Sequence, residues 1–269
     1  MTEVIEGGTV NSISRNNGIV TKHFETRNGI ATPPAQRMMA EYFSMKHVGI
    51  APQFKGFTQN GVSMSFIDGE KLLDEAIDSY PEAVRMQIYS QMGQTLAEIH
   101  SVIPKIVYPG FHDAHLRRIY DLVDKSRPYT RPIGISTLQL LDGLTATYDA
   151  REIEKRGLAW IHGDFWPNNY IGKRVNGRFD FKSVIDWEGA KFTTPYEDFA
   201  VVLMSIEQAH SESSAPFWKG YGRQPLQPLQ AHFAALKTLE WMGVDEDGQS
   251  TNFTSSFYQP KIEILQQIV

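Results

Sequence analysis

The first quarter of the chain is dominated by short segments in which apolar and polar residues alternate. In the segment 19–24, Val20, Lys22 and Phe24 share one face, and the intervening residues share the other. This two-residue period is typical of a β-strand. The sequence Asn-Asn-Gly at 16–18 is a tight-turn signal that precedes the segment. The pattern therefore predicts a small β-rich region in which one strand directs a lysine toward its more apolar face.

One helix interrupts these strands, and many more follow them. Two prolines at 33–34 open a helix that we predict to end near Lys46. In the rest of the chain apolar residues recur every three or four positions, as in the segment 81–101. We therefore predict an α+β fold with two lobes. These are a small β-rich N-terminal lobe at 1–68 and a larger, mainly helical C-terminal lobe at 69–269.

The C-terminal lobe also contains a predicted hairpin and a predicted loop. Asn176-Gly177 stands between two strand-like segments, 170–175 and 178–185, and this dipeptide is a strong signal for a tight hairpin. Residues 211–224 are rich in serine, glycine and aromatic residues. We predict a loop for this second stretch.

Composition excludes several classes of protein. Apolar residues make up 41% of the 269 positions and charged residues 21%, which predicts a globular chain. A net charge of -5 argues against nucleic-acid binding, and the lack of cysteine excludes disulfides and thiolate metal sites. No apolar run approaches the roughly 20 residues that a membrane span needs, and the first residues lack the pattern of a signal peptide. We expect a soluble cytoplasmic protein, either a monomer or a homodimer.

Three polar residues in the second half have a spacing that suits metal-dependent phosphoryl transfer. Asp164 follows a short apolar strand and a glycine, Asn169 lies five positions later, and Asp186 ends the predicted hairpin. The hairpin returns the chain, so Asp186 can come back close to Asn169. One amide and one carboxylate can suffice as protein ligands for Mg²⁺, which keeps several waters. Asp164 suits the orientation of an acceptor hydroxyl, although each residue taken singly would more often cap a helix or form a turn.

Lys22 would complete such a site. A lysine on an apolar face needs a partner, or else its stem must extend the ammonium group to solvent. Glu41, on the predicted helix, is the only acidic residue between Thr26 and Ile67. If Lys22 has a carboxylate partner in this part of the chain, Glu41 is the candidate, and a lysine held in this way suits the α- and β-phosphates of ATP. The alternative is an edge-strand lysine and a solvated glutamate.

Two further segments are assigned to the ATP site. Gly7-Gly8-Thr9 would let backbone amides approach a nucleotide, although an ordinary turn has the same composition. Phe66 and Ile67 stand at the predicted boundary between the lobes, and we assign them to the same site.

Two motifs carry the most specific signal, and their sequences are His162-Gly163-Asp164-Phe165-Trp166-Pro167-Asn168-Asn169 and Ile185-Asp186-Trp187-Glu188. They resemble motifs of the aminoglycoside phosphotransferase and choline kinase superfamily. Its members are small-molecule kinases with a protein-kinase-like, two-lobed fold, and the resemblance runs from about residue 5 to about residue 224. It implies ATP and Mg²⁺ as cofactors, Asp164 as the catalytic residue and Asn169 and Asp186 as metal ligands. It also implies that Lys22, held by Glu41, binds the phosphates.

We expect the acceptor to be a hydroxyl group of a small molecule. Aromatic and acidic residues after Asp186 suit a cationic acceptor such as choline, another amino alcohol or an aminoglycoside, and a sugar-like acceptor stays open. Trp187, Glu188 and Trp218 are possible acceptor-site residues, with packing in the core as the alternative for the aromatic ones. A protein kinase is disfavoured by the short stretch between Asp186 and Pro195. A nucleotide-binding pseudokinase without turnover is disfavoured by the complete set of site residues.

Overall fold

The computed structural model of the protein has the predicted α+β fold, with a small antiparallel sheet near the N-terminus and a mainly helical remainder. The described residues are 3–5, 11–25, 32–73, 77–103, 110–130, 133–207, 213–244 and 259–269. None of the helices in these ranges has the length and apolar content that crossing a membrane requires.

Five antiparallel strands form the sheet of the N-terminal lobe, in the order β1-β2-β3-β5-β4. They are β1 (Glu3–Ile5), β2 (Ser12–Asn16), β3 (Ile19–His23), β4 (Phe54–Thr58) and β5 (Gly61–Ser65). Asn17 and Gly18 have φ values of 48° and 75°, which fits the tight turn predicted from their sequence. Strand β3 is central, and Lys22 lies opposite Ile13 on one neighbour and Val62 on the other.

Helix α1 (Pro34–His47) packs against this sheet and also reaches the C-terminal lobe. Its residue Met45 is buried in a small apolar cluster with Phe24, Val62 and Met64 of the strands. On the other side of α1, Trp160 of the C-terminal lobe donates a hydrogen bond to Ser44 at 3.0 Å. The helix that carries Glu41 therefore touches both lobes.

The C-terminal lobe consists of helices, a three-stranded sheet and a two-stranded sheet. The helices are α2 (Glu82–Ser101), α3 (Phe111–Thr130), α4 (Thr137–Thr147), α5 (Ala150–Arg156), α6 (Tyr196–Val202), α7 (Ser214–Tyr221), α8 (Gln227–Val244) and α9 (Gln259–Ile268). Strands β6 (Glu70–Lys71), β8 (Tyr170–Val175) and β9 (Arg178–Val184) form one sheet, and β7 (Ala159–Ile161) pairs with β10 (Lys191–Thr193). The predicted lobe boundary at residue 68 falls between β5 and β6.

Helices α2 and α7 approach each other at backbone distance. A Cβ atom added at Gly93 of α2 would lie 2.0 Å from the carbonyl oxygen of Phe217, and one added at Gly220 of α7 would lie 2.0 Å from that of Ser90. Contacts this short leave no room for any side chain at either glycine. The two helices therefore form one closely packed unit within the C-terminal core.

Helix α7 corrects one sequence prediction, because the loop predicted at 211–224 is helical from Ser214 to Tyr221. The serine, proline and glycine residues there favour a loop when they are considered alone. Burial of Phe217 and Trp218 against the core outweighs these local preferences. Gly222, with φ of 82°, ends the helix in the left-handed conformation typical of such a cap.

A pair of buried histidines joins α3 to α8. Nε2 of His115 lies 2.8 Å from Nε2 of His232, and Nδ1 of His232 lies 2.9 Å from the carbonyl oxygen of Leu144. Because a carbonyl can only accept, Nδ1 of His232 carries a proton. Its Nε2 therefore accepts the hydrogen bond that Nε2–H of His115 donates. Burial lowers the pKa of His115 to about 3 and that of His232 to about 4, so both rings are neutral in the folded protein.

We expect this pair to make stability fall as the pH falls below about 6.5. The rings protonate near pH 6.5 in the unfolded chain, but only at about 3 and about 4 in the folded one. Since the unfolded chain binds more protons in this window, each ring lowers the free energy of unfolding by about 1.4 kcal/mol per pH unit. The stability that the two neutral rings contribute is fully present above pH 6.5 and is lost progressively as the pH falls below that value. Urea denaturation at pH 7, 6 and 5 measures the slope.

The variant His115→Phe serves as the control for this pH dependence. Phenylalanine keeps a flat ring between Phe111 and Tyr148, on which His115 stacks, but it does not titrate. The slope should fall by about 1.4 kcal/mol per pH unit relative to the wild type. An unchanged slope would assign the pH dependence to other groups.

Candidate active site

A buried carboxylate holds the loop that carries Asp164. The backbone N–H groups of His162 and Gly163 donate to Oδ2 and Oδ1 of Asp198, at 2.9 and 2.8 Å. Asp198 is fully buried in the first turn of α6, and Nε2 of His100 lies 3.0 Å from its Oδ2. Burial alone would raise the pKa of Asp198, but the hydrogen bond and charge of His100 and the contacts with His162 lower it. An ionised side chain therefore fixes the backbone directly before Asp164.

The two sequence motifs are in direct contact. Gly163 has φ of 81°, and a Cβ atom added there would lie 2.2 Å from the carbonyl oxygen of Gly189. The ring of His162 packs on Trp187 with a centroid distance of 4.4 Å, and its Nε2 lies 3.0 Å from the carbonyl oxygen of Ile185. The segments 162–169 and 185–189 thus form one closely packed substructure.

Asn169 is joined to Asp164 by two hydrogen bonds. Its Nδ2 donates to the carbonyl oxygen of Asp164 at 2.8 Å and to the carboxylate Oδ2 at 3.2 Å. Ile185 donates its backbone N–H to the carbonyl oxygen of Asn169 at 2.9 Å, which connects the turn to the end of β9. A short 3₁₀ turn at Pro167–Asn169 folds the chain back, so that Asn169 reaches Asp164 five residues earlier.

The carboxyl group of Asp164 has a raised pKa. Burial is the main cause, and the negative charge of Asp186 adds to it. The charges of His162 and Lys237 and the hydrogen bond from Asn169 act in the opposite direction. A carboxylate whose pKa is shifted upward is a better proton acceptor than an ordinary aspartate.

Asp186 follows β9 in an unusual backbone conformation. Its φ and ψ are 67° and 55°, the left-handed region that few residues other than glycine, asparagine and aspartate occupy. Its side chain is 40% exposed, and Oδ1 accepts a short hydrogen bond from Nζ of Lys22. Burial would raise the pKa of Asp186, but the charge and hydrogen bond of Lys22 lower it. This residue therefore presents an ionised carboxylate between the two lobes.

Lys22 connects helix α1 to Asp186. Its Nζ donates to Oε1 of Glu41 at 2.6 Å, and both side chains are almost completely buried. Burial disfavours the ammonium form, but the charges of Glu41, Asp186 and Glu188 outweigh it and raise the pKa of Lys22. The structure thus brings Lys22, Glu41 and Asp186 together, and a buried cation at this place can neutralise phosphate oxygens.

Phe66 and Ile67 are half-buried and lie between β5 of the five-stranded sheet and β6 of the three-stranded sheet. The backbone N–H of Phe66 donates to the carbonyl oxygen of Gly18 at 2.8 Å, and the guanidinium of Arg15 lies 3.5 Å from the centre of its ring. Gly7, Gly8 and Thr9 lie outside the described residues. Their assignment to a nucleotide loop stays a prediction.

The possible acceptor residues have different positions. Trp187 is fully buried and donates its indole N–H to the carbonyl oxygen of Val184 at 2.8 Å. Trp218 is 2% exposed and packs edge-to-face on Phe199. Glu188 faces the Lys22 cluster, by which we mean Lys22 with Glu41 and Asp186, and its Oε2 lies 3.4 Å from Nζ of Lys22. Both tryptophans are buried in the core, and the assignment of Trp187, Glu188 and Trp218 to an acceptor site stays a prediction.

Two residues near Asp164 carry roles that the sequence patterns missed. Lys237 of α8 donates from Nζ to the carbonyl oxygen of Gly163 at 3.2 Å. Asp198 accepts hydrogen bonds from the backbone of the same loop, a contact that the sequence patterns did not predict. A carboxylate in a first helical turn is common, so the pattern has no signal that this one turns inward. Lys237 lies more than 70 residues from Gly163 along the chain, which no local pattern connects.

Asn169 and Asp186 together offer the type of donor that Mg²⁺ prefers. Nδ2 of Asn169 is used by Asp164, and its Oδ1 accepts no hydrogen bond from the residues that the structure describes. One oxygen of Asp186 contacts Lys22, and the side chain remains partly exposed. An amide oxygen and a carboxylate are hard ligands, and Mg²⁺ commonly takes its other ligands from water and phosphate. The residues present therefore fit this ion.

Comparisons with known proteins point to one family. The model of the phosphotransferase enzyme family matches residues 53–235, which is more than half of the chain. No curated protein sequence matches.

Solved structures share the fold at low sequence identity. The ADP-bound aminoglycoside phosphotransferase APH(2'')-Ib has a TM-score of 0.68 and 14% identity, with 99% of this chain and 92% of that chain covered. The GDP complex of aminoglycoside 2'-phosphotransferase-IIIa has a TM-score of 0.69 and 16% identity, with 100% and 92% covered. A choline/ethanolamine kinase family protein from Mesorhizobium loti has a TM-score of 0.60 and 14% identity, with 100% and 86% covered.

Proposed function

The chain belongs to the phosphotransferase enzyme family, and we propose that it transfers the γ-phosphoryl group of ATP to a hydroxyl group of a small molecule with the help of Mg²⁺. The observation that carries this proposal is the contact of Lys22 with both Glu41 and Asp186, next to the loop in which Asn169 is bonded to Asp164. A buried cation, a proton acceptor and a metal-binding pair are the parts that phosphoryl transfer needs.

Each side chain has a distinct task in this proposal. Lys22, oriented by Glu41, binds phosphate oxygens. Asn169 and Asp186 hold Mg²⁺, which when bound supplies positive charge to the phosphates. Asp164 aligns the acceptor hydroxyl and accepts its proton, and its raised pKa supports that task.

The names of the similar structures support the proposed nucleotide and acceptor class. Two of the similar structures carry the nucleotides ADP and GDP, which supports a nucleotide as the phosphoryl donor. The relatives include aminoglycoside phosphotransferases and a choline/ethanolamine kinase family protein, all of which are named for small molecules. We therefore propose an amino alcohol, an aminoglycoside or a sugar-like molecule as the acceptor class.

A transfer assay tests the proposed function. The protein is incubated with Mg²⁺ and γ-labelled ATP, or GTP in parallel, together with separate panels of amino alcohols, aminoglycosides and sugars. We expect label on the hydroxyl of one class, detected by mass spectrometry and ³¹P NMR, above the rate of nucleotide hydrolysis. Nucleotide binding without transfer to any acceptor would indicate a pseudokinase, and label only on added protein would indicate a protein kinase.

The variant Asp186→Asn is expected to uncouple nucleotide binding from Mg²⁺. Asparagine keeps the shape and tolerates the left-handed backbone, but it removes the carboxylate charge. The Kd for ATP measured by calorimetry with Mg²⁺ should rise about 10- to 100-fold, while the Kd without Mg²⁺ should stay within about threefold. Asp180→Asn, on the exposed hairpin, is the matched control. An unchanged Mg²⁺ dependence in Asp186→Asn would rule out the proposed metal role.

A further inference from the structure

Arg37 is a buried cation in α1, one turn before Glu41, and only 2% of its surface is exposed. Its Nη2 donates to the carbonyl oxygen of Glu25 at 2.5 Å, and its Nη1 donates to Oδ1 of Asn11 at 3.1 Å. Nη1 also lies 3.5 Å from Oε2 of Glu188. A guanidinium is costly to bury unless such partners surround it. Its position is therefore specified by three separate segments of the chain.

These segments belong to both lobes. Asn11 directly precedes strand β2, and Glu25 follows strand β3, so both lie in the N-terminal lobe. Glu188 lies two residues after Asp186, in the C-terminal lobe. Nδ2 of Asn11 donates to Oε2 of Glu188 at 2.6 Å, which closes the arrangement. We call Arg37, Asn11 and Glu188 the inter-lobe triad.

The triad also contains one of the carboxylates that surround Lys22. Three carboxylates face the ammonium group of Lys22, those of Glu41, Asp186 and Glu188. Glu41 at 2.6 Å and Asp186 are closer to Nζ than Glu188, which lies at 3.4 Å. Arg37 gives Glu188 a second cationic partner. Without that partner, Lys22 would be the only cation paired with Glu188 among the residues that the structure describes, and Glu188 would draw Lys22 away from its two other partners.

We propose that the inter-lobe triad holds Lys22 against Glu41 and Asp186 by keeping Glu188 engaged, which makes Arg37 a positioning residue for nucleotide binding and phosphoryl transfer. The transfer part of this inference rests on the proposed function. The nucleotide-binding part does not depend on turnover. Because the triad joins the start of β2 to the segment after Asp186, it also fixes the distance between the two lobes at this place.

A double-mutant cycle on Arg37 and Glu188 tests the proposal. Arg37→Met removes the charge at similar length, and it should raise the Kd for ATP about tenfold and lower kcat by a similar factor. Glu188→Gln removes the carboxylate that competes for Lys22. Glu188→Gln should give no gain in ATP affinity while Arg37 is present, because Arg37 already engages position 188. The double variant, in contrast, should bind ATP about threefold more tightly than Arg37→Met alone, so the two effects are coupled. Purely additive effects on Kd would overturn the role assigned to Glu188.

Arg156→Met is the matched control for loss of a buried arginine. Arg156 is 5% exposed and donates to Oε1 of Glu152 and to the carbonyl oxygen of Gln224, both at 2.7 Å, away from the Lys22 cluster. Its loss should lower the melting temperature and leave the Kd for ATP unchanged. If Arg37→Met behaved in the same way, Arg37 would be only a structural residue.

Arg37→Lys keeps the test valid if Arg37→Met does not fold. Lysine retains the charge but lacks the planar fork with which Arg37 donates to Asn11 from Nη1 and to Glu25 from Nη2, so its Kd for ATP should lie between those of the wild type and a neutral variant. A stable Arg37→Lys protein whose Kd for ATP is raised tenfold or more would refute the charge-sharing role, because lysine keeps a cation beside Glu188.

The failure of this inference can be told apart from failure of the proposed function. If the wild type transfers phosphate and the Arg37 variants bind ATP normally, the triad proposal is wrong and the function stands. If the wild type transfers nothing but the Arg37 variants lose ATP affinity with the expected coupling, the triad stands and the function does not.

Discussion

Asp164→Asn is expected to lower kcat by about 10²- to 10⁴-fold while leaving the Kd for ATP within about threefold of the wild type. The carboxamide has nearly the same shape as the carboxylate, so the hydrogen bond from Nδ2 of Asn169 to the backbone oxygen at 164 remains. The carboxamide cannot accept a proton from the acceptor hydroxyl. Turnover should therefore fail at the chemical step rather than at nucleotide binding.

Single-turnover kinetics and calorimetry separate these two effects. Asp121→Asn, on an exposed surface of α3, changes the same functional group far from the site and should keep wild-type kcat. If Asp164→Asn retained more than about a tenth of wild-type kcat, general-base chemistry at this residue would be excluded.

Gly163→Ala is expected to destabilise the protein by about 2–5 kcal/mol, because two separate costs add. The backbone at 163 has φ of 81°, which an L-residue with a Cβ adopts only at a cost. The new methyl group would also lie 2.2 Å from the carbonyl oxygen of Gly189, a backbone atom that cannot rotate away. Relief of this clash must move the loop before Asp164, and a displacement of about 1 Å can lower kcat about 100-fold.

Gly189→Ala is the matched control on the other side of the same contact. A Cβ atom at Gly189 would meet its nearest neighbour at 3.6 Å, which is ordinary van der Waals contact, and its φ is not in the left-handed region. The stability of this variant should stay within about 1 kcal/mol of the wild type. Urea denaturation of both variants checks the contrast, and equal losses would show that the contact is not the cause.

The Lys22–Glu41 contact illustrates what the sequence could predict. The alternation in β3 placed Lys22 on an inward face, and Glu41 was the only carboxylate between Thr26 and Ile67, which made it the sole candidate partner in that stretch. Nζ of Lys22 lies 2.6 Å from Oε1 of Glu41 in the structure. The two Asn-Gly turns could also be predicted from the sequence, because they depend on local backbone preferences. Helix α1 followed from its paired prolines and apolar spacing.

The sequence patterns could not predict contacts between segments that are distant along the chain. Arg37 looked like an ordinary polar residue of α1, and its partners are Asn11 and Glu188, the latter 151 positions away along the chain. Asp198 has the same appearance as any acidic residue in a first helical turn. The predicted loop around Trp218 is a helix because its apolar face is buried, which is a tertiary effect. Sequence patterns report local preference, whereas these features depend on what lies opposite.

The left-handed backbone at Asp186 has a consequence for how this chain can diverge. Glycine, asparagine and aspartate are the residues that occupy such a conformation at low cost. Only aspartate among the three supplies a carboxylate. Conformation and chemistry therefore select the same residue, and the substitutions that the fold tolerates best are those that remove the charge. A descendant that acquired asparagine or glycine here would keep its architecture and lose its carboxylate in one step, so the fold would outlast the activity proposed for it.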